Sequence, residues 1–314
     1  MYFASGRLAA SDRWGDGLMK WMKRHAATFF NILAAVVGLS LVLYPSVSDW
    51  WNGFHQSRMI MSYADSVADM SAEESAECLK NAEDYNRALA GSGVLWKMDD
   101  AQKADYDRQL NIQGEGVMGY ISIPKINVSL PIYHGVDESV LQVAIGHLPG
   151  TSLPVGGKGT HTVVSGHRGL PSARLFTDLD QLSEGDTWTI TVLDQTITYE
   201  CDQIRTVEPT DLSELAIDPD QDYCTLVTCT PYGINTQRLL VRGHRVANAL
   251  GDKNITSEAV KIDSIYVVPF VVGPILVLFF ILTLVRIDRG RKRKRGWKEI
   301  RTEFNAEEGE EKEK

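Results

Sequence analysis

"TLVTCTPYGINTQRLLVRGHRV", residues 225–246, holds two apolar, β-branched runs joined by a short polar loop. Runs of this length and composition read as strands, and the loop over 230–237 folds them into a hairpin. Cys229 closes the first run and Arg238, nine residues on, opens the second, so the hairpin returns the cation beside the thiol. A thiol of ordinary pKa, about 8.5, is mostly protonated near neutrality, and a neighbouring cation favours the reactive thiolate. By composition alone Cys229 reads equally as a nucleophile and as a small buried hydrophobe. Arg242 and Arg245 lie on the same strand, and spacing favours Arg238.

The same alternation surrounds the hairpin. "GYISIPKINVSLPIYHG" (119–135) is broken by Pro124 and Pro131, and "THTVVSGH" (160–167) and "DTWTITVLDQTITYECDQIRTVEP" (186–209) follow it, the last with a turn at Asp194–Gln195. Many short strands with little helix between them predict a barrel or sandwich of about 130 residues. Of seven histidines, His167 stands out because it ends an alternating strand and opens a loop, where catalytic groups concentrate. The alternative is a histidine bonded to a loop carbonyl. His134, His147, His161 and His244 share the region without that placement.

Upstream, residues 61–91 are rich in Ala and Glu, lack proline, and carry Val67, Met70, Leu79 and Leu89 at helical spacing. They predict one or two amphipathic helices ending at Gly91 and Gly93, followed by a charged connector. Two longer stretches are continuously apolar, 26–47 and 264–285. Each exceeds the roughly 20 residues that cross a hydrocarbon core of about 30 Å. Lys20, Lys23 and Arg24 precede the first, and Arg286, Arg289, Arg291, Lys292, Arg293, Lys294 and Arg295 follow the second. Basic flanks stay on the cytoplasmic side, which puts both termini inside and residues 48–263 outside. A cleaved signal peptide is the alternative for the first run, since "SVS" (46–48) is small-x-small. The net charge of −9 gives no support to nucleic acid as a partner. Four cysteines at Cys78, Cys201, Cys224 and Cys229 lack paired metal-ligand spacing; a Cys201–Cys224 bridge would leave Cys229 free. No metal or cofactor is implied.

These residues resemble a known family. "SGHRG" (165–169), "TLVTC" (225–229) and the arginine nine residues after the cysteine are similar to the sortases, membrane-anchored cysteine transpeptidases of Gram-positive bacteria. Over 117–248 the resemblance is to the class C, pilus-assembling branch, which commonly keeps a second membrane span. It implies a mainly β fold, a closed eight-stranded barrel with N-terminal helices and two flanking transmembrane helices. It implies Cys229, His167 and Arg238 as the catalytic set, with Leu226 and Thr228 beside the nucleophile as substrate-binding residues. The implied activity is cleavage of an LPXTG-like sorting signal after threonine through a thioester, then transfer to a pilin lysine. The implied partners are pilin or surface-protein sorting signals, that lysine amine, and the membrane. The alternatives are a cell-wall-anchoring sortase that uses a peptidoglycan-precursor amine, and a catalytically silent scaffold that binds pilin tails. The domain reading that results is a cytoplasmic tail (1–25), a membrane helix or signal anchor (26–47), an extracytoplasmic helical segment (48–92) and a lid-like connector (93–116). The barrel (117–248), a linker (249–263), a second membrane helix (264–285) and a basic then acidic tail (286–314) complete it. The departure is the lid. The Asp-Pro-aromatic plug usual in the branch is absent from 94–111, where Trp96, Met98 and Asp99 (or Asp100) are the substitutes on offer.

Overall fold

The computed structural model describes residues 8–248, with side chains from Phe30 onward except at Ile32 and Ser92. The expected linker, second membrane helix and C-terminal tail lie outside the described residues.

Helix α1 spans Leu8–Ala68 without a break at the expected boundary near 47, and it contains Pro45. Within it, Leu33–Ala68 is long and apolar enough to cross a membrane by length and composition. Helix α2 (Ala72–Ser92) starts where Ser71 and Glu74 form a reciprocal capping box, which satisfies two amide N–H groups that the first turn leaves unbonded. It runs through Gly91 and stops at Gly93, whose φ of 81° a side chain would resist. Helix α3 (Asp100–Arg108) opens with a second capping box, Asp99 with Gln102.

Eight strands follow: β1 (Val117–Ile123), β2 (Val128–His134), β3 (Ile145–His147), β4 (Thr160–Ser165), β5 (Thr187–Val192), β6 (Gln195–Val207), β7 (Asp222–Thr230) and β8 (Gln237–Val246). A single turn of helix, α4 (Glu138–Leu141), links β2 to β3. The strands close as β1-β2-β3-β4-β7-β8-β6-β5, a barrel, which settles the choice between barrel and sandwich. The β5–β6 turn sits at Leu193–Asp194, one residue before its expected place, with Leu193 at φ 52°. The pairs β2–β3 and β4–β7 are parallel and the others antiparallel.

Alternation along each strand divides its side chains between the lumen and the outer face. Cys224, Leu226, Leu239, Val241 and Val164 join the lumen core with the fully buried Trp188. Val163, Val227 and Leu240 point the other way and pack under Leu215 from the β6–β7 loop. Gly243 is required by close approach: a Cβ there would stand 2.6 Å from the Trp188 ring. The same residue explains why Cys201 and Cys224 are both free thiols. Each pairs with Gly243, from β6 on one side and β7 on the other. Two strand spacings, about 9.5 Å, exceed the roughly 7 Å that a disulfide spans between Cα atoms.

Candidate active site

Strands β4 and β7 run parallel, with Ser165 opposite Val227. The pairing continues past the end of β4, because Gly166 N donates to Val227 O at 3.0 Å and Thr228 Oγ1 donates to Gly166 O at 2.8 Å. Two residues on from each partner, His167 comes level with Cys229. On the other side of β7, Cys229 pairs with Arg238 of β8. Directly opposed residues on adjacent strands stand about 5 Å apart at Cα. Cys229 shares the outer-face alternation with Thr225 and Val227, and Arg238 shares it with Leu240. Cys229 and Arg238 thus stand side by side on β7 and β8, and His167 follows the end of β4 at the same rim, beside the apolar patch of Val163, Val227 and Leu240.

Local packing holds His167 in place. Phe176 N donates to His167 O at 3.1 Å, folding loop 168–178 back onto the rim. Gly166 makes room for this: a Cβ there would meet Ile145 and Phe176 at 2.8 Å. The imidazole stays a quarter exposed, and Nε2 lies 3.5 Å from Glu138 Oε2 without a formed hydrogen bond. Glu138 itself is exposed, and its carboxyl is held below the usual range chiefly by a hydrogen bond from Gln142, with His167 contributing. Cys229 is half-buried.

The arginines separate clearly. Arg242 grips Asp202 through two bonds of 3.0 and 3.1 Å and lies over the Tyr223 ring at 4.2 Å. Arg245 faces Asp222 at 3.4 Å. Arg238 bonds only the backbone carbonyls of Gln237 and Asn235, at 3.0 and 3.4 Å, and among the described residues it pairs with no carboxylate. Its fork is left for an incoming group.

Other expected residues lie elsewhere. Leu226 is wholly buried in the lumen core and Thr228 is 1% exposed, its hydroxyl spent on Gly166. Neither presents a side chain at the rim, because even-numbered β7 residues point inward. The outer-face neighbour that sequence reading passed over is Val227, and strict period-two counting back from Cys229 finds it. The described hydrogen bonds of the connector go to residues other than the trio. Leu95 N donates to Gly150 O at 3.0 Å, and Tyr106 Oη reaches His147 Nδ1 at 3.0 Å and accepts from Gly135 N at 3.0 Å. His134 bonds Gln109 O and Gly116 O at 2.7 and 2.9 Å. All of these contacts fall at the barrel end where β2 and β3 finish and β1 and β4 begin. Trp96 lines a shallow cleft of about 430 Å³ with Leu212, Ala216 and Ile217. Met98 packs partly buried against the core, and Asp99 is a helix cap. Among the described residues no group of three or more His, Cys, Asp or Glu is arranged to hold a metal ion.

Comparison with known proteins agrees with this fold. Residues 121–246 match the sortase domain model. Sortase D of Bacillus subtilis is 30% identical over 131 residues, which span 41% of this chain and 63% of that protein. The crystal structure of sortase C1 from Streptococcus agalactiae is 56% identical, covering 61% of this chain and all of that one with a TM-score of 0.60. Sortase C of Clostridium perfringens, solved with the C-terminal cell wall sorting motif, is 43% identical, covering 61% of this chain and 99% of that one with a TM-score of 0.54. The chain belongs to the sortase family of cysteine transpeptidases, with class C sortases as its structural neighbours.

Proposed function

We propose that this chain is a membrane-anchored transpeptidase that cleaves an LPXTG-like sorting signal after its threonine and transfers the acyl group to a lysine amine of a pilin subunit. The observation that carries the reading is that Cys229 and Arg238 pair directly on β7 and β8 while His167 follows the end of β4, the strand on the other side of β7. Cys229 Sγ attacks the threonine carbonyl carbon, and the scissile C–N bond breaks as His167 gives a proton to the leaving amine. The acyl group is then held as a thioester on Sγ. The incoming lysine amine loses a proton to the now neutral imidazole and attacks the same carbon; the isopeptide bond forms and Sγ departs. In both steps charge collects on the carbonyl oxygen, where the unpaired fork of Arg238 donates. The class C resemblance favours a lysine acceptor, and the two apolar runs with their basic flanks favour an extracytoplasmic barrel.

The test is mass spectrometry of the full-length protein with a sorting-signal peptide. An acyl adduct on Cys229 and its discharge onto a lysine-bearing pilin domain are expected. Cys229→Ala should abolish both while Cys78→Ala leaves both intact. Cleavage that persists in Cys229→Ala overturns the mechanism. Discharge only onto a peptidoglycan-stem amine overturns the choice of acceptor.

A further inference from the structure

The two faces of α1 after its apolar run have separate tasks. Asp49, Asn52, Gln56 and Tyr63 recur at helical spacing on one face. Asp49 Oδ1 accepts from Arg174 N at 2.8 Å, Asn52 Nδ2 donates to Ser172 O at 2.8 Å, and Gln56 Nε2 donates to Val143 O at 2.6 Å. Further along, Tyr63 Oη donates to Met118 O at 3.1 Å and accepts from Leu193 N at 2.8 Å. The earlier partners belong to the catalytic end: loop 168–178 folds onto His167, and Val143 precedes the β3 residues that pair with Ser165. The later partners belong to the opposite end. Helix α1 therefore runs down the barrel from the catalytic rim, and the apolar run lies beyond the rim.

On the opposite face of the helix stand Tyr44, Val47, Trp51 and Phe54, each 45–57% exposed. They continue the apolar run directly and end at Arg58, whose guanidinium lies 5.7 Å from the centre of the Phe54 ring. Aromatic residues followed by a cation, at the end of an apolar helix, match the headgroup layer of a bilayer, where amphipathic rings settle. Asn52, which holds Ser172, lies between Trp51 and Phe54 in the chain. From Val47 to Asn52 is five residues, about 7.5 Å of helix.

We infer that Trp51 and Phe54 seat α1 in the headgroup layer of the membrane, and that the catalytic rim of the barrel faces the lipid surface with the β5–β6 turn directed away. The occupant of this aromatic face is lipid headgroup and upper acyl chain, because the face is continuous with a segment long enough to enter the bilayer. Pro45 removes one helix hydrogen bond and permits a bend, which changes tilt but not which end of the barrel is near. The inference rests on reading 26–47 as a membrane segment and is independent of any catalytic step.

The experiment uses the full-length chain in vesicles of phosphatidylglycerol and phosphatidylethanolamine, with Cys78→Ala and Cys229→Ala to remove the accessible thiols. A donor dye is attached at Pro171→Cys, beside Ser172, or at Asp194→Cys in the β5–β6 turn; both positions are exposed. Energy transfer to a headgroup-labelled lipid is measured. Asn52 and Tyr63, which mark the two levels, are eleven residues apart, about 16 Å along the helix. Transfer should be several-fold stronger from 171 than from 194, and Trp51→Ser with Phe54→Ser should shrink the difference. Equal or reversed transfer overturns the orientation, as does protein that stays off the vesicles. An unchanged difference in the double variant overturns the aromatic seat. Because no turnover is read, failure here is distinct from failure of the proposed reaction.

Discussion

The two ends of the barrel are built from similar residues and differ in how completely those residues are bonded. At the end where β2 and β3 finish, His147 is wholly buried, with Ser152 O 2.8 Å from Nε2 and the Tyr106 hydroxyl 3.0 Å from Nδ1. His134 has a carbonyl at each ring nitrogen. On β4 itself His161 is held by Ala216 O and Thr225 Oγ1 at 2.8 and 2.7 Å. At the end where β4 and β7 finish, His167 keeps a ring nitrogen without a hydrogen bond and Arg238 keeps its fork clear of carboxylates. Saturated polar groups stabilise; an unsaturated buried group calls for an explanation, and at the rim an incoming substrate group supplies one. Histidines that look alike in the chain are sorted by their partners.

The thiols give the widest separation. Burial pushes Cys224 up to about 12 and Cys201 up to about 11, while Cys229 is half-buried at the rim. At pH 7.5 the buried pair should hold under about one thiolate in a thousand. Alkylation at that pH, followed by peptide mapping, should modify Cys229 about a hundredfold or more faster than either. Comparable modification of Cys224 in folded protein would break the comparison.

Next in size is the contrast between arginines. Arg238→Lys replaces a fork with a point charge and should slow peptide cleavage by about 10²-fold, the scale of one oxyanion donor. Arg242→Lys loosens the grip on Asp202, yet should leave the rate within about threefold, since that fork is already occupied. Equal losses in kcat/KM would remove Arg238 from its role.

Acid probes the saturated end. Burial lowers His147 from 6.5 to about 4, and burial lowers His161 as well. The folded pKa is depressed, so the unfolded chain takes up the proton first. The stabilising effect is fully present above pH 6.5 and is lost as pH falls toward 4. The window of about 2.5 units at 1.36 kcal/mol each amounts to about 3 kcal/mol for His147. Urea midpoints should fall across that range, and His147→Gln should flatten the slope even if it lowers stability throughout. An identical slope in the variant would show that His147 is not the titrating group.

The smallest effect concerns the connector. Trp96 lies against Leu212 and Ala216 of the β6–β7 loop, and no described contact joins it to Cys229, His167 or Arg238. Trp96→Ala should therefore leave both the Cys229 alkylation rate and peptide cleavage within about twofold, although a tight lid would have cost a hundredfold or about 2.7 kcal/mol. A large acceleration would show that the connector reaches the rim.

Much of this was legible in the chain. Period-two alternation with β-branched residues marks the strands because a pleated strand turns successive side chains to opposite faces. The capping boxes at Ser71 and Asp99 are local chemistry, so sequence alone could place them. The pairing of Cys229 with Arg238 across the hairpin was legible through strand ends and spacing. The face of β7 was equally legible by counting, since period two puts Leu226 and Thr228 on the side opposite Cys229.

What only the tertiary structure decided are the relations that depend on which strands close on which. Barrel or sandwich, and the separation of Cys201 from Cys224 by β8, are both set by strand order. A local pattern fixes φ, ψ and the side of a strand. It carries no information on which partner lies one spacing away, because pairing energy comes from cross-strand contacts between residues distant in the chain. Those contacts make His147 a buried structural group and leave His167 open at the rim.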